Sequence, residues 1–518
     1  MLATVKVAPT QSQYMKNLRK WMHRHPIRTK RALEILPGTV SWFLILFPVW
    51  GSYLIPNVVA YYIIAFSVYW FYRSMTTAFL SILGYFKLKT FQVYDWMGDV
   101  KNFPDWKKVN HIIVIPTYKE PLPTLKRTLD KLLEQTFPIK NIHIMMSFED
   151  REGQDARDKA KELLDEYGDK FGHLWATYHP DLPGEVKGKS SNTSWGAKEA
   201  KRYLVDQEGM DIDYITITSE DADALLHPSY FACLSYNFLD SPARYTTIWQ
   251  AILMFYNNIW KVPILVRVFS SSATIMSLAM LARRDRLINF STYTASLKMI
   301  DAIGYWDTDV IPEDWRLFFK AFFSLDGKVS VEPIFLPIMA DAAEATGMWN
   351  TYANQYEQVK RWAWGVSDTP YVISRWVMAD TIPFWEKTIR VLRVMEDHFL
   401  WPVNWFAITI GALLPPLLNQ DFSRTIIGKT LPQVTSAILT VCLLALLVMI
   451  ILNFKLRPKK EGRRIPVLSF IFDILEFITL PVVGFFFSAI PGIDAHTRLM
   501  LGKYIEYKVT EKVKPGEK

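Results

Sequence analysis

A long stretch with almost no charge near the start of the sequence constrains the fold most. Residues 38–86 contain Arg73 as their one charged side chain, and Pro56 and Asn57 divide the stretch into two parts. A helix that crosses a bilayer needs about 20 apolar residues, so each part is long enough for one span. We therefore predict a transmembrane hairpin of two helices over residues 38–86.

The segment before the hairpin is strongly basic. Residues 1–37 carry eight lysines and arginines after residue 5 but only Glu34 as an acid. Basic segments that flank a membrane span stay on the cytoplasmic side. We therefore expect residues 1–37 to form a cytoplasmic arm, and the chain to return to the cytoplasm after the hairpin.

Further apolar segments follow in the C-terminal quarter. Residues 396–453 have room for two more helices, and the basic loop at residues 455–464 indicates a return to the cytoplasm. Residues 465–493 are apolar but contain two acids, which are costly at a bilayer centre. For this segment we predict an interfacial, re-entrant or membrane-inserted piece, followed by a cytoplasmic tail over residues 494–518.

Between the apolar segments, residues 87–395 have the pattern of a soluble α/β domain. Short β-branched or apolar runs at residues 111–115, 142–146 and 214–217 predict three strands, and each run ends in polar or acidic residues. Ligands of parallel α/β sheets collect beyond the carboxyl ends of the strands. The residues after these runs are therefore the candidates for a binding site.

Two carboxylates follow the third run. Asp221 and Asp223 are separated by one residue, so in an extended segment their side chains point the same way. Such a pair can share one hard divalent ion, Mg²⁺ or Mn²⁺, with a diphosphate. An isolated pair of this kind is more often a solvated acidic turn.

A second acidic pair and an aromatic helix lie further along. Glu313 and Asp314 could provide a general base, or could be the first turn of a helix, where acids favour the dipole. Gln358, Arg361 and Trp362 have helical spacing and therefore face one side. The aromatic residues after them predict an interfacial helix around residues 355–385.

The order of these motifs resembles that of the family 2 glycosyltransferases that build polysaccharides at a membrane, the cellulose synthase-like and hyaluronan synthase-like enzymes, whose signature is D, D, D, QxxRW. The resemblance implies a GT-A catalytic domain between transmembrane helices, a nucleotide-sugar donor that is UDP-linked, and transfer with inversion to a growing glycan. It assigns the metal to Asp221 and Asp223, and the general base to Asp314 beside Glu313. It places Gln358, Arg361 and Trp362 at the acceptor.

The resemblance also implies contacts to the nucleotide sugar. At the second strand the family's usual Asp-Asp-Gly is replaced, and either Glu149 or Asp150 would read the base or ribose. Residues 507–512 resemble the gating loop that closes over the nucleotide from the cytoplasm. By this likeness the donor contacts are Pro116, Thr117, Tyr118, Glu120, Glu149 or Asp150, Lys189, Asn192, Asp221, Thr510 and Lys512.

Charge and cysteine content exclude several other classes of protein. The net charge of +8 is concentrated beside the apolar segments, where it faces anionic lipid, so we expect no nucleic-acid partner. Two cysteines provide neither a disulfide framework nor a metal cluster. The expected partners are a UDP-sugar, a glycan or lipid acceptor and membrane lipids. With about four spans, an accessory subunit or a homo-oligomer could complete a path for the product.

Two rival functions remain open. A non-processive transferase that glycosylates a lipid carries a similar motif, and the size of its product would distinguish it from a polymerase. A membrane receptor or channel that only senses nucleotide sugars would release no nucleoside diphosphate. We therefore expect a multi-pass membrane enzyme with a cytoplasmic catalytic domain, and turnover is the observation that separates it from a sensor.

Overall fold

The centre of the protein is a mixed β-sheet packed between helices. The computed structural model describes residues 13–460 and 466–506. In this part of the chain eight strands form one sheet in the order β3-β2-β1-β4-β7-β6-β8-β5. The strands are β1 (Asn110–Thr117), β2 (Ile142–Glu149), β3 (His173–His179), β4 (Ile215–Ser219), β5 (Leu225–Leu226), β6 (Thr247–Met254), β7 (Tyr293–Ser296) and β8 (Ser330–Met339).

The first four strands of the sheet order are parallel. Strand β1 pairs with β2 on one side and with β4 on the other, so the carboxyl ends of these strands reach the same edge of the sheet. Strand β7 then runs antiparallel to β4 and brings Tyr293 beside Ser219. The start of β7 therefore lies at the edge where the parallel strands end.

Helices cover both faces of the sheet and extend beyond it. Short 3₁₀ and π segments connect some of them. The α-helices are α1 (Gln13–Arg24), α2 (Pro26–Leu54), α3 (Pro56–Val93), α4 (Trp96–Val100), α5 (Leu122–Leu133), α6 (Gln154–Tyr167), α7 (Lys189–Lys201), α8 (Tyr230–Asp240), α9 (Ile264–Leu281), α10 (Leu297–Ala302), α11 (Glu313–Ser324), α12 (Met348–Ala363), α13 (Thr369–Met378), α14 (Phe384–Ile410), α15 (Leu414–Leu418), α16 (Gln420–Arg424), α17 (Ile426–Leu456), α18 (Pro466–Phe477), α19 (Leu480–Gly484) and α20 (Ile490–Leu501).

The alternation of side chains along β1 divides the core into two layers. Ile112 and Val114 are fully buried in one apolar cluster, whereas Ile113 and Ile115 are buried in the other. Successive side chains of a strand point to opposite faces, so the sheet separates the two layers. A strand buried on both faces reads as a continuous apolar run, which is why residues 111–115 predict it correctly.

Helix α7 approaches the sheet closely because of one glycine. A Cβ atom at Gly196 would lie 2.9 Å from the Oγ atom of Ser147 on β2, closer than real Cβ contacts. The hydroxyl of Ser147 donates to the Asn192 side chain at 2.6 Å, and the Asn192 amide donates back to the Ser147 carbonyl at 2.6 Å. These contacts fix the first turn of α7 beside the ends of the strands.

Within the described residues, three helices are long and apolar enough to cross a membrane: Pro26–Leu54, Ile264–Leu281 and Ile426–Leu456. A bent pair, Phe470–Phe477 with Leu480–Leu501, would make a fourth if it forms one span. Helix α9 (Ile264–Leu281) was not among the predicted spans, and 61% of its most apolar window is buried inside the protein. The spans predicted within α3 and α14 are not in this set and stay predictions.

Candidate functional site

The acidic motifs meet at the edge of the sheet where β4 ends. Strand β4 ends at Ser219, and Asp221 follows it after one residue. The Asp221 amide donates to Thr292 Oγ1 at 3.1 Å, which joins this loop to the segment before β7. Glu313 and Asp314 begin helix α11, and both line the same cavity as Asp221. Residues about 90 positions apart in the sequence therefore share one site.

Lys189 is the cation at the centre of this cluster. Its Nζ atom lies 2.7 Å from Asp221 Oδ1 and 2.9 Å from Glu313 Oε1. It also donates to the carbonyl of Ser291 at 2.7 Å. The Lys189 side chain is only 12% exposed, so these ion pairs are largely shielded from water. Lys189 therefore connects the loop after β4 to the start of α11.

Asp314 is held by two backbone amides. The amide of Ser291 donates to Asp314 Oδ2 at 3.1 Å, and the amide of Trp315 donates to Oδ1 at 2.8 Å. Ser291 has φ of 56°, in the left-handed region that is uncommon for a residue other than glycine. This conformation of Ser291 also lets its hydroxyl donate to Asp221 Oδ2 at 2.5 Å. One strained residue thus orients both carboxylates.

Burial dominates the electrostatics of the acidic pair. It raises the pKa of Glu313 to about 7, although the nearby Lys189 opposes the shift and Asp314 adds to it. Burial also raises the pKa of Asp314, while Lys189 and the two backbone amides oppose that shift. Burial disfavours the charged form of Lys189 and by itself would lower its pKa. The charges of Asp221 and Glu313 outweigh this effect and raise the lysine pKa. Burial is therefore the largest cause of the raised pKa of Asp314.

The raised pKa of Glu313 predicts a pH-dependent stability. The carboxyl of the unfolded chain has its ordinary pKa of 4.5 and the folded one a pKa of about 7, so the folded state binds the extra proton between these values. The free energy of unfolding therefore falls as pH rises from 4.5 to 7, and the loss is complete above that range. We therefore compare the Tm of Glu313→Gln with that of the wild type at each pH. The difference, variant minus wild type, should be larger at pH 8 than at pH 5.

The measurement is thermal unfolding of the two purified proteins across this pH range. The exposed Glu332→Gln serves as a control for the general effect of losing one acid. A Tm difference for Glu313→Gln that is the same at pH 5 and pH 8 would contradict this assignment.

Asp223 and Asp341 provide further carboxylate oxygens on the cavity wall. The amide of Asp341 donates to Asp223 Oδ2 at 3.4 Å, and Asp341 Oδ2 lies 2.9 Å from Arg127. The other carboxylate oxygen of Asp341 is buried without a hydrogen-bond partner in the described part of the chain. Hard oxygen ligands of this type suit Mg²⁺ or Mn²⁺.

A complete metal cage is absent from residues 13–460 and 466–506, where no group of three or more His, Cys, Asp and Glu side chains is arranged to hold an ion. Asp221 already contacts Lys189 and Ser291, and Asp223 contacts the Asp341 amide. An ion at these carboxylates would therefore need further ligands from outside the described part of the chain.

Most of the predicted donor contacts line the same cavity. Pro116 and Thr117 are the last residues of β1, Tyr118 and Glu120 follow the strand, and all four line the cavity. Arg151 stacks on the Tyr118 ring at 3.9 Å. Of the alternatives at the second strand, Glu149 lines the cavity and accepts from Arg151 Nε at 2.5 Å.

Asp150 and Asn192 differ from these predicted donor residues, and two further ones fall outside the described part of the chain. Asp150 pairs with Arg157 at 2.6 Å and is not among the residues that line the cavity. Asn192 lines it, but its amide group is bound to Ser147. Thr510 and Lys512 lie outside the described residues.

The predicted acceptor residues form another wall of the same cavity. Gln358, Arg361 and Trp362 of α12 all line it. Trp362 is 38% exposed, and its ring packs near Phe255 and Phe269 at centroid distances of 5.9 and 6.0 Å. The free face of such a ring can stack on the apolar face of a sugar.

The cavity extends from this site into the helical part of the protein. Its volume is about 2230 Å³, and its wall includes Asp221, Asp314 and Trp362 at one end. At the other end it is lined by apolar and aromatic side chains of α3, α14 and α17, among them Trp70 and Trp405. The site is therefore continuous with a space between helices.

Sequence reasoning did not find all of these groups. It did not anticipate the double ion pair of Lys189, the strained Ser291 or the cavity position of Asp341. A lone aspartate after β8 carries no motif, and the conformation of Ser291 has no signal in the sequence. The position of Asp341 two residues after a strand was the one cue available.

Comparison with known proteins gives weak structural similarities. No family model matches the sequence, and no curated protein matches it. A mannosyltransferase from Pyrobaculum calidifontis in complex with GDP-Man and Mn²⁺ has a TM-score of 0.40 at 12% identity, covering 85% of this chain and 100% of that chain. TarS of S. aureus in complex with UDP-GlcNAc has a TM-score of 0.33 at 13% identity, covering 79% and 98%. Against another TarS structure the TM-score is 0.32 at 12% identity, and the match covers 62% of this chain and 55% of that one. At these scores the case for a function rests on the geometry of the site.

Proposed function

We propose that this protein is a hexosyltransferase-type membrane glycosyltransferase with a GT-A catalytic domain. It transfers a sugar with inversion from a nucleotide donor, a UDP-sugar, to a growing polysaccharide. The observation that carries this proposal is the cluster of Asp221, Lys189, Glu313 and Asp314 at the ends of the strands, on a cavity that continues between apolar helices. The order of the DxD, Glu-Asp and QxxRW motifs supports the same function.

The donor binds between the ends of β1 and β4 in this proposal. Tyr118 and Glu149 address the nucleoside, and Asp221 and Asp223 would hold Mg²⁺ or Mn²⁺ together with the diphosphate. A bound ion of this kind neutralises the charge that develops on the departing diphosphate. Lys189 holds Asp221 and Glu313 in place and adds a positive charge to the same region.

The metal assignment predicts a selective defect in Asp223→Asn. This change keeps the side-chain volume but removes the charge that attracts a divalent ion. We expect the variant to be folded and inserted but to lose sugar transfer and Mn²⁺-dependent UDP affinity by at least about tenfold. Titration of UDP in the presence of Mn²⁺ and of EDTA measures the effect, and unchanged Mn²⁺-dependent affinity would dismiss Asp223 as a ligand.

Asp314 is the general base of the proposed reaction. It accepts the proton of the acceptor hydroxyl while that oxygen attacks the anomeric carbon and the bond to the diphosphate breaks. The single displacement inverts the configuration at that carbon. The amides of Ser291 and Trp315 fix the orientation of the Asp314 carboxylate, and its raised pKa brings it closer to the working pH.

The product leaves through the space between the helices in this proposal. Trp70 and Trp405 line that space with ring centroids 6.0 Å apart, and Trp401 lines it beside them. Aromatic rings bind the apolar faces of sugars without fixing one register, which suits a chain that slides. The proposal therefore includes processive synthesis with export of the product. It also includes a partner subunit that completes the path.

A glycolipid transferase is the second candidate, because the same space would admit a single lipid chain from the bilayer. Incubation of membranes with a panel of labelled UDP-sugars separates the two candidates by the size of the product. We expect a ladder of long glycans. A lipid-linked monosaccharide or disaccharide as the sole product would contradict the polymerase.

A further inference from the structure

Five arginines line the cavity on the side away from the donor site. They come from three separate parts of the fold: the middle of α3, the loop after α9 and the first half of α14. We call them the arginine cluster, and its members are Arg73, Arg283, Arg286, Arg390 and Arg393.

Carboxylates neutralise this cluster only in part. Arg73 pairs with Asp397 at 2.8 Å, Arg286 with Glu396 at 2.7 Å and Arg393 with Asp285 at 3.1 Å. A fourth acid, Glu386, also acts on Arg390 by its charge, so four acids face five guanidinium groups and one positive charge remains in excess.

One donor of the cluster is also unused. In the described part of the chain the buried Nε atom of Arg286 has no hydrogen-bond partner. Guanidinium groups bind phosphate oxygens through paired, charge-assisted hydrogen bonds. The cluster therefore has both the charge and the donor capacity for a phosphate group.

With the spans predicted within α3 and α14, the position of the cluster corresponds to the headgroup level of a bilayer. Residues 56–72 of α3 contain no Asp, Glu, Lys or Arg, and Arg73 is the first charge after them. Residues 398–410 of α14 likewise contain none, and Asp397 is the last charge before them. Charged side chains at the end of an apolar run lie where lipid phosphates lie.

Exposed apolar side chains continue from the arginines along the cavity wall. Met276 and Met280 are four positions apart on α9, Arg283 follows the end of this helix, and all three line the cavity. Met276 and Met280 are 43% and 41% exposed, and Leu443 of α17 on the cavity wall is 57% exposed. A hydrocarbon chain attached to a phosphate in the cluster would cover these side chains.

Two short connections join the cluster to the proposed base. The loop that contains Arg286 continues to Ser291, whose amide donates to Asp314. On α14, Asp397 pairs with Arg73, while the next residue, His398, packs on the Trp315 ring at a centroid distance of 4.0 Å. A phosphate bound by the arginines would therefore be positioned against the loop that holds Asp314.

We propose that the arginine cluster binds the phosphate of a membrane lipid that carries the acceptor glycan. The hydrocarbon chain lies along Met276, Met280 and Leu443, and the acceptor hydroxyl reaches Asp314 from the same cavity. This assignment rests on the proposed transferase function for the role of the lipid as acceptor. Binding of the lipid phosphate itself is independent of it.

The binding test uses the full chain purified in a neutral detergent, with dodecyl phosphate as the probe and native mass spectrometry as the readout. We expect dodecyl phosphate to bind, and Arg283→Gln with Arg393→Gln to weaken that binding by about ten- to a hundredfold. The matched control is Arg284→Gln. Arg284 follows Arg283 in the sequence and does not line the cavity, and its side chain is 67% exposed and pairs with Glu332. Its affinity should stay within twofold of wild type.

Two comparisons identify the source of the phosphate. Dodecanol, which lacks the phosphate, and inorganic phosphate, which lacks the chain, should each bind at least about tenfold more weakly than dodecyl phosphate. Equal binding of inorganic phosphate would overturn the lipid assignment, and equal binding of dodecanol would overturn the role of the arginines. Unchanged affinity in the double variant would overturn the site.

An activity measurement separates this inference from the proposed function. In the Arg283→Gln, Arg393→Gln variant we expect hydrolysis of the donor in the absence of acceptor to stay at the wild-type rate, while transfer to a phosphate-bearing lipid acceptor falls about tenfold or more. Equal loss of both would show a general defect and would contradict an acceptor site. A third outcome is that dodecyl phosphate binds through the arginines but the protein turns over no donor. That result would contradict the transferase function and would support the lipid-phosphate site.

Discussion

Asp314→Asn should lower the rate of sugar transfer by about two to four powers of ten, the usual weight of a positioned general base. The asparagine keeps the size of the side chain, and its one amide oxygen can still accept from one of the two backbone amides, but it cannot take the proton of the acceptor hydroxyl. Affinity for UDP should change by no more than a few-fold, because Asp314 acts on the acceptor. The measurement is the initial rate of transfer at saturating donor, beside a UDP titration.

A nearby aspartate provides the matched control. Asp309 lies in the loop before α11 and is exposed. Asp309→Asn should retain transfer within about twofold of wild type. A rate for Asp314→Asn that falls no further than that of the control would contradict its role as the base.

Lys189→Met should be the most destabilising single change at the site. It leaves the buried carboxylate of Glu313 and the partly exposed carboxylate of Asp221 without the cation that lies 2.9 and 2.7 Å from them. Removing one partner of a buried ion pair costs about 3–5 kcal/mol of the free energy of unfolding. Chemical or thermal unfolding of the detergent-purified protein measures the loss, and transfer should be abolished as well.

Two further variants distinguish this effect from a general loss of charge. Lys187 is two positions away and forms an exposed pair with Asp181, so Lys187→Met should cost less than about 1 kcal/mol. Adding Glu313→Gln to Lys189→Met removes one of the uncompensated carboxylates and should restore part of the stability. If Lys189→Met is as stable as Lys187→Met, the ion-paired cluster is not as buried as described.

The buried parallel strands were the most predictable part of the fold. Runs of β-branched residues at 111–115 and 214–217 predict β1 and β4 because both faces of these strands are covered. Strands β6 and β8 were not predicted. Their pairing joins residues about 80 positions apart, and such long-range partners leave no local pattern. The α/β class was therefore accessible from the sequence, whereas the mixed order of the sheet was not.

The helices show a similar division. The apolar segments that contain α2 and α17 are evident from composition, and both helices are long and apolar enough to cross a membrane. Helix α9 was missed because serines and a threonine interrupt its apolar residues, and it is buried largely by contacts with other parts of the protein. Burial by tertiary contact cannot be read from the composition of one helix.

The site was predicted as a set of motifs but not as a network. Asp221, Asp314 and Trp362 line one cavity as their spacing in the sequence suggested, yet their roles stay predictions. The contacts that connect them were not predicted. Lys189 was expected to contact the donor, but it pairs with Glu313, which is more than 120 positions away, and Ser291 bonds to Asp221, which is 70 positions away. The arginine cluster escaped notice for the same reason, since its five members come from three distant segments.

The most direct test of the proposed function is turnover of a nucleotide sugar by the purified full chain. The protein is incubated with Mn²⁺ and a panel of UDP-sugars, and release of UDP is followed together with incorporation of labelled sugar into product. We predict metal-dependent UDP release matched by incorporation for at least one donor, and a rate at least about a hundredfold lower in Asp314→Asn. Binding of UDP-sugars without release of UDP from any of them would contradict a transferase and would favour a sensor.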